Sequence, residues 1–319
     1  MARFDVTTIG EGQLRYSVPK GHRLVNAPQF DVHVTGTEAN VTSLLARLGW
    51  SCGWMTSLPQ TPLGQRIADV YGSSGLDLSA VVWSDAYRVA TYYVEFGVPP
   101  KSTQVYYDRS NTCFVNLTTA DMDWDYLLDT RLLHLSGLTV PLSPSIREIL
   151  LEAVKRAKAK GIPISFDMNY RSRIWSTTEA AEAIQPFMDA VDVLFFARGD
   201  AQRMYDFSDD PKTVLRQLAD LTPAKYIVVS LSKDGIIAWD REQIIHEPSH
   251  NVEVIDRIGA GDAMVAGVLH GYLQDNFAKG IKYGVMTAAL ALTHYGDSVL
   301  ITREELEVLL NSSNTDIVR

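Results

Sequence analysis

The chain has 319 residues, 46% hydrophobic and 21% charged, the composition of a soluble globular protein long enough to bury an extensive core. No apolar run approaches the roughly 20 residues that cross a bilayer, and a formal charge of −9 without clustered Lys and Arg excludes nucleic acid as the main partner. Two cysteines, Cys52 and Cys113, and a start (Met1-Ala2-Arg3-Phe4-Asp5-Val6) with no apolar stretch behind its arginine point to the cytoplasm.

The N-terminal third reads as strands and turns. Residues 4–9 are a β-rich run ending at Gly10, and residues 30–35 alternate before Gly36. A helix follows over 39–48, where Val41, Leu44, Leu45 and Leu48 share one face and Gly49 is the stop. Residues 88–95 alternate strictly, with Ala90, Tyr92 and Val94 on one side, so a strand with one half-wet face is expected. Its partner is Val105-Tyr106-Tyr107, across a turn region at Gly97-Val98-Pro99-Pro100.

From Leu132 onward strands alternate with helices. Strands are expected at 132–135, 162–166, 191–196 and 226–230. Helices are expected at 145–160, opened by Ser145-x-x-Glu148 as a capping box, at 178–190 and at 212–221. Such alternation marks βαβ units, hence a parallel sheet covered by helices on both faces. A β-rich interlude at 236–239, 244–246 and 252–255 precedes two apolar helices, 263–273 and 278–295, and Thr302-x-x-Glu305 opens a last one. With no repeat, low-complexity tract or linker, the reading is one α/β domain over 1–319 with a small β lid drawn from about 12–35 and 86–117.

The segment that carries chemistry is Asp256-Arg257-Ile258-Gly259-Ala260-Gly261-Asp262, ahead of an amphipathic helix with Val265, Val268, Leu269 and Tyr272 on one face. Small residues expose backbone N–H groups at a helix N-terminus, where unpaired donors and the helix dipole favour an anion. At the rim of such a cradle, Asp262 is placed to take a proton from a hydroxyl attacking a γ-phosphate. The plainer alternative is a tight turn at Gly259 and Gly261 with Asp262 as a helix cap. Other nucleotide motifs fit less well: there is no G-x-x-x-x-G-K-[ST], and Gly259-x-Gly261-x-x-Met264 lacks the third glycine of a dinucleotide fingerprint. The seven histidines show no metal-ligand spacing, and neither Ser57 nor Ser136 sits in a G-x-S-x-G elbow.

Residues 256–262 closely resemble the D-T-x-G-A-G-D signature of PfkB (ribokinase-like) carbohydrate kinases. Gly36-Thr37-Glu38-Ala39-Asn40 with Leu48-Gly49 resembles their G-x-E-x-N…L-G signature, roughly 220 residues earlier and in the family's order. The resemblance covers nearly the whole chain. It implies a doubly wound, mostly parallel α/β sheet flanked by helices, with a β-sheet lid often used for homodimerisation. It also implies phosphoryl transfer from ATP, with Mg2+, to a sugar-like hydroxyl, and leaves a monovalent cation open. Asp262 would be the catalytic base and the Gly259, Ala260 and Gly261 backbone the anion hole. Ser230, Lys233 and Gly235 resemble the nucleotide-binding strand and turn, although Ser232 stands where a glycine is usual.

Asp167-Met168-Asn169-Tyr170-Arg171 follows a buried strand, the end of a parallel sheet where ligands bind. Tyr107-Asp108-Arg109 ends a lid strand and Tyr92 lies on the facing one; Arg109 and Arg171 carry the fork suited to a carboxylate. These features resemble 2-keto-3-deoxygluconate kinases. By that resemblance Tyr92, Tyr107, Arg109, Asn169 and Arg171 bind a sugar acid, together with Gly36, Asn40 and Asp297. The plainer alternative packs the tyrosines in the lid and leaves the arginines solvated, and fructokinase or another sugar kinase is the alternative activity.

The chain also departs from the family. An N-x-x-E usually follows the strand at 191–196 and serves Mg2+ through water; here the residues are Ala197-Arg198-Gly199-Asp200, so Asp200 keeps an acid but the amide is gone. Met264 replaces a frequent aromatic and Arg257 the usual threonine. These changes keep open a reading of another class, a sugar-acid-binding sensor or scaffold that has lost most catalysis.

Overall fold

Strands with apolar residues on both faces form the frame in the computed structural model, which describes residues 2–311. In chain order the first elements are β1 (Phe4–Ile9), β2 (Gln13–Val18), β3 (Asp31–Thr35), α1 (Thr37–Arg47), β4 (Cys52–Met55), β5 (Ser57–Pro59), α2 (Pro62–Gly72), β6 (Val82–Ser84), β7 (Ala90–Glu95), β8 (Gln104–Asp108) and α3 (Trp124–Leu128). Then come β9 (Thr130–Ser136), α4 (Pro144–Ala159), β10 (Ile164–Asp167), α5 (Thr177–Met188), β11 (Val193–Ala197), α6 (Arg198–Tyr205), α7 (Pro211–Leu221) and β12 (Tyr226–Ser230). The last are β13 (Ile236–Trp239), β14 (Ile244–Glu247), α8 (Ala260–Leu273), α9 (Phe277–Leu292) and α10 (Arg303–Asn311).

Eight strands join in the order β14-β13-β12-β11-β10-β9-β1-β4. Pairing is parallel from β4 to β12 and antiparallel across β13 and β14. Successive residues of one strand serve opposite faces: in β11, Leu194 and Phe196 join the core with Ile149, Ile184 and Val214, whereas Val193 and Phe195 join the core with Leu44, Val265 and Ile281. That double burial explains why these strands read as continuous apolar runs. The result is the doubly wound α/β sheet expected, and no described helix is long and apolar enough to cross a membrane.

A second sheet has four strands in the order β3-β2-β7-β8, with β2 and β7 parallel and both outer pairings antiparallel. A small parallel pair, β5-β6, stands apart.

Local details depart from the sequence reading for identifiable reasons. Ser143, not Ser145, caps α4: its side chain accepts from the Ile146 amide, and Pro144 fits the first helical position because its missing N–H costs nothing there. Residues 252–255 form no ladder; Ile255 donates a single hydrogen bond to the Leu292 carbonyl on the way to Asp256. Helix α9 ends at Leu292 rather than 295, ahead of Gly296 at φ 100°. Helices α2 and α6 and strand β4 were not expected, whereas Thr302 and Glu305 do exchange capping bonds.

Candidate active site

A cleft of about 570 Å3 opens where the C-terminal ends of the parallel strands face the four-stranded sheet. Asp167 closes β10, Ala197 closes β11 and Ser230 closes β12, and all three line it, as parallel-strand topology dictates for a ligand site. The four-stranded sheet supplies Gln13, Thr35, Tyr92, Val105 and Tyr107, with Arg109 just past β8. The loop into α8 supplies Arg257, Ile258 and Gly259, and the first turn of α8 supplies Gly261 and Asp262.

Gly259 caps α8 with φ 90°, a conformation open to glycine, and a Cβ there would come within 2.6 Å of the Asp297 carbonyl oxygen. No side chain caps the helix, and among the described residues no backbone carbonyl accepts from the amides of Ala260, Gly261 or Asp262. Nothing lies within 4 Å of a Cβ built on Gly261. Free donors at the positive end of a helix dipole, with open space before them, suit an anion.

The Asp262 carboxylate lies beside this cradle. It accepts from Asn40 Nδ2 at 2.7 Å and from Thr37 Oγ1. Tyr71 donates to Asn40 Oδ1 at 2.9 Å, and Asn169 Nδ2 donates to Thr37 Oγ1 at 2.9 Å. Each oxygen of Asp262 is thus held by a donor that is itself held, which fixes the rotamer. Burial pushes the carboxyl up to about 6 against the opposing pull of the Asn40 and Thr37 bonds; nearby Asp297 adds to the rise. Asp167 is pushed up to about 7, by burial first and then by the charge of Asp262. Glu38 lies beneath, buried and bonded by Thr139, and desolvation pushes it up to about 8. A carboxyl with a value near 6 is ionised at neutral pH yet basic enough to accept a proton.

Asp297 is engaged throughout. Its Oδ1 accepts from Arg15 Nη1 at 2.6 Å, and its Oδ2 accepts from Thr35 Oγ1 at 2.6 Å and Tyr92 at 2.8 Å. The other arm of the fully buried Arg15 pairs with Asp256, whose second oxygen takes the Ile258 amide at 3.1 Å. One guanidinium therefore fastens β2 to both segments that shape the anion cradle.

The remaining charges are unequal in freedom. Arg109 pairs with Glu11 at 2.8 Å but keeps one buried nitrogen, Nη1, without a partner. Arg203 is tied to Asp200, and Arg173 donates to Gln104 Oε1 at 3.0 Å and to the Val105 carbonyl, joining the cleft rim to β8. Arg171 has no ion-pair partner among the described residues and only a 3.4 Å bond to the Tyr170 carbonyl.

Of the residues singled out from sequence, Asp262, Gly259, Gly261, Tyr92, Tyr107, Arg109, Asn169, Arg171, Asp297, Asp200 and Ser230 line this one cleft. Asn40 does not line it but holds Asp262, and Gly36 caps α1, next to Thr37, which does. Lys233 and Gly235 lie in the turn after β12, outside the lining. Gly235 has φ 94° and a Cβ there would meet Glu247 O at 2.1 Å, while Ser232 holds the left-handed conformation (φ 56°) in the place of the usual glycine. Gln13 and Arg15 went unremarked in the sequence, and Asp167 was noted only as the start of the segment at a ligand-binding strand end, with no role assigned. Only Asp167 had a signal, its place two residues before Asn169 at a strand end. Oxygen donors at Asp167 and Asp200 fit Mg2+, which commonly binds through one or two carboxylates and keeps several waters.

The family model for "pfkB family carbohydrate kinase" matches residues 5–303. The chain is 32% identical over 316 residues to a 2-dehydro-3-deoxygalactonokinase of Haloferax volcanii, covering 99% of each. It is 26% identical to a 2-dehydro-3-deoxygluconokinase of Bacillus subtilis, covering 98% of this chain and 97% of that one. Among solved structures, the 2-dehydro-3-deoxygluconokinase of Thermotoga maritima superposes with a TM-score of 0.91 at 29% identity, covering 97% of this chain and all of the other. With a cradle and carboxylate of this kind at the strand ends and a family match over nearly its whole length, the chain belongs to the pfkB family of carbohydrate kinases and is a sugar kinase.

Proposed function

We propose that the protein transfers the γ-phosphoryl group of ATP to a hydroxyl of a sugar acid of the 2-keto-3-deoxygluconate type. The observation that carries this reading is the pairing, within one cleft, of Asp262 beside uncapped helix amides with Arg171, a guanidinium lacking an ion-pair partner. Asp262 accepts the hydroxyl proton as the oxygen forms its bond to the γ-phosphorus and the bond to the ADP oxygen breaks. The amides of Gly259, Ala260 and Gly261 take the charge that develops on the phosphoryl oxygens. Ser230, Lys233 and Gly235 flank the nucleotide. Asp200, with Asp167 beside it, would hold Mg2+ through water, and the ion would neutralise phosphate charge.

Arg171 and the spare Nη1 of Arg109 are the two donors suited to the acid's carboxylate, with Tyr92, Tyr107, Asn169 and Asp297 shaping the wall around it. Fructose, which has no carboxylate, would leave Arg171 without a counter-ion and Arg109 Nη1 without a charged acceptor. The relatives' names point to the same substrate class. The four-stranded sheet serves as a lid, and its other face, where Tyr16 stacks on Tyr93 and Phe30 and Tyr106 stand exposed, is the surface for a homodimer. A cytoplasmic setting suits two buried free thiols.

A coupled ADP-release assay over sugar acids and hexoses tests the reading. Turnover of at least one 2-keto-3-deoxy sugar acid in preference to fructose is expected; turnover of fructose alone removes the sugar-acid assignment, and ligand-induced melting shifts without any turnover support the sensor instead.

A further inference from the structure

Gln13 opens β2, opposite Thr35 on β3 and Ala90 on β7. It is 5% exposed and lines the cleft, yet its side-chain carbonyl oxygen is buried without a hydrogen-bond partner. Most donors around it are already engaged: Thr35 and Tyr92 donate to Asp297, and Arg109 Nε donates to Glu11. Two residues along the same face of the strand, Arg15 spends both arms on Asp256 and Asp297. No described donor lies within hydrogen-bond distance of the Gln13 carbonyl oxygen, and two nearby donors, Arg15 Nε and Arg109 Nη1, are likewise buried without partners.

An unsatisfied buried acceptor costs about 1–3 kcal/mol, and a leucine would fill the same half-apolar strand position without that cost. A group kept in such a state inside a binding cleft is completed by what enters the cleft. We infer that Gln13 is a specificity-determining residue whose carboxamide takes a hydrogen bond from a hydroxyl of the acceptor. A hydroxyl both donates and accepts, so it satisfies the amide in either orientation. Sites that pair a buried polar group with a substrate hydroxyl reject analogues that cannot make the bond far more strongly than apolar sites do. The glucono and galactono forms of a 2-keto-3-deoxy acid differ in the configuration of one hydroxyl-bearing carbon, the kind of difference a fixed amide reads. The epimer form of this inference rests on the sugar-acid reading; the hydroxyl contact itself does not.

The test compares steady-state kinetics of wild type, Gln13→Leu and Gln13→Asn on both epimeric acids and on fructose, with thermal melts of the ligand-free proteins. Gln13→Leu should raise KM for the preferred acceptor about tenfold or more while leaving kcat within about threefold, and should bring the two epimers' kcat/KM values together. Its ligand-free melting temperature should equal or exceed that of wild type, because an unsatisfied group is lost. Gln13→Asn, which keeps the amide but retracts it, should show the same direction of change if the leucine variant does not fold. Unchanged KM and epimer ratio in a folded variant overturn the inference. If wild type uses only fructose, the sugar-acid assignment falls and the KM for fructose decides the role of Gln13.

Discussion

Asn40 and Asp262 stand 222 residues apart in the chain and are joined by a 2.7 Å hydrogen bond. The bond links the first turn of α1 to the first turn of α8, the two motifs by which the sequence resembles its family. Together with the Thr37 bond it favours the charged form of a carboxyl that burial would keep protonated.

With Asp262 as the proposed base, this balance should set the pH profile. Asp262 must be ionised to act as a base, so kcat/KM should fall on the acid side with a midpoint of about 6. Replacing Thr37 by Val removes a donor to the carboxylate, and the acid limb should move to higher pH. A limb that stays in place in Thr37→Val would show that another group controls it.

Asp262→Asn should lower kcat by about 100- to 10,000-fold, the usual contribution of a positioned base. The same variant bears on stability. Because the folded value lies above 3.8, ionising Asp262 costs the fold nothing well below pH 3.8, progressively more as pH rises, and the full amount above about 6. A rise of that size corresponds to about 3 kcal/mol. The variant should therefore melt higher than wild type at pH 8, and that advantage should shrink at pH 5.

Arg171→Ala should reduce kcat/KM for a sugar acid by about 10- to 100-fold, the worth of a hydrogen bond to a charged group, and leave a hexose acceptor within about threefold. Equal losses on both acceptors would remove Arg171 from carboxylate recognition.

Arg15→Met leaves Asp256 and Asp297 buried without their shared cation. Removing one partner of a buried pair costs about 3–5 kcal/mol, readable as a lower urea midpoint. A loss below about 1 kcal/mol would mean that the two carboxylates find other partners.

Much of the frame was legible because β9, β10, β11 and β12 bury both faces and so read as unbroken apolar runs separated by helical periodicity. The uncapped start of α8 was legible because Gly259-Ala260-Gly261-Asp262 is a local feature: a turn, a helix start and an acid within four residues. What stayed hidden depends on distant pairing. Arg15 sits between Leu14 and Tyr16 in an alternating strand, where a charged residue reads as the wet face; only Asp256 and Asp297, far along the chain, place it in the interior. Gln13 is an ordinary polar residue until the fold sets it against the cleft. Helix α6 was missed because its eight residues, from Arg198 to Tyr205, carry four charged or amide side chains and too few apolar ones to show a period.

Two of the fastenings between the four-stranded sheet and the rest of the molecule are unlike. Arg15 is a bolt sealed from water between two carboxylates, whereas Arg173, at the solvent edge, grips β8 through Gln104 and the Val105 carbonyl. Undoing the outer grip exchanges protein partners for water at little cost; drawing the bolt would strand charges in the interior. A lid built this way would open from its β8 border while β2 stays fastened, and the buried Arg109–Glu11 pair would limit how far Arg109 follows.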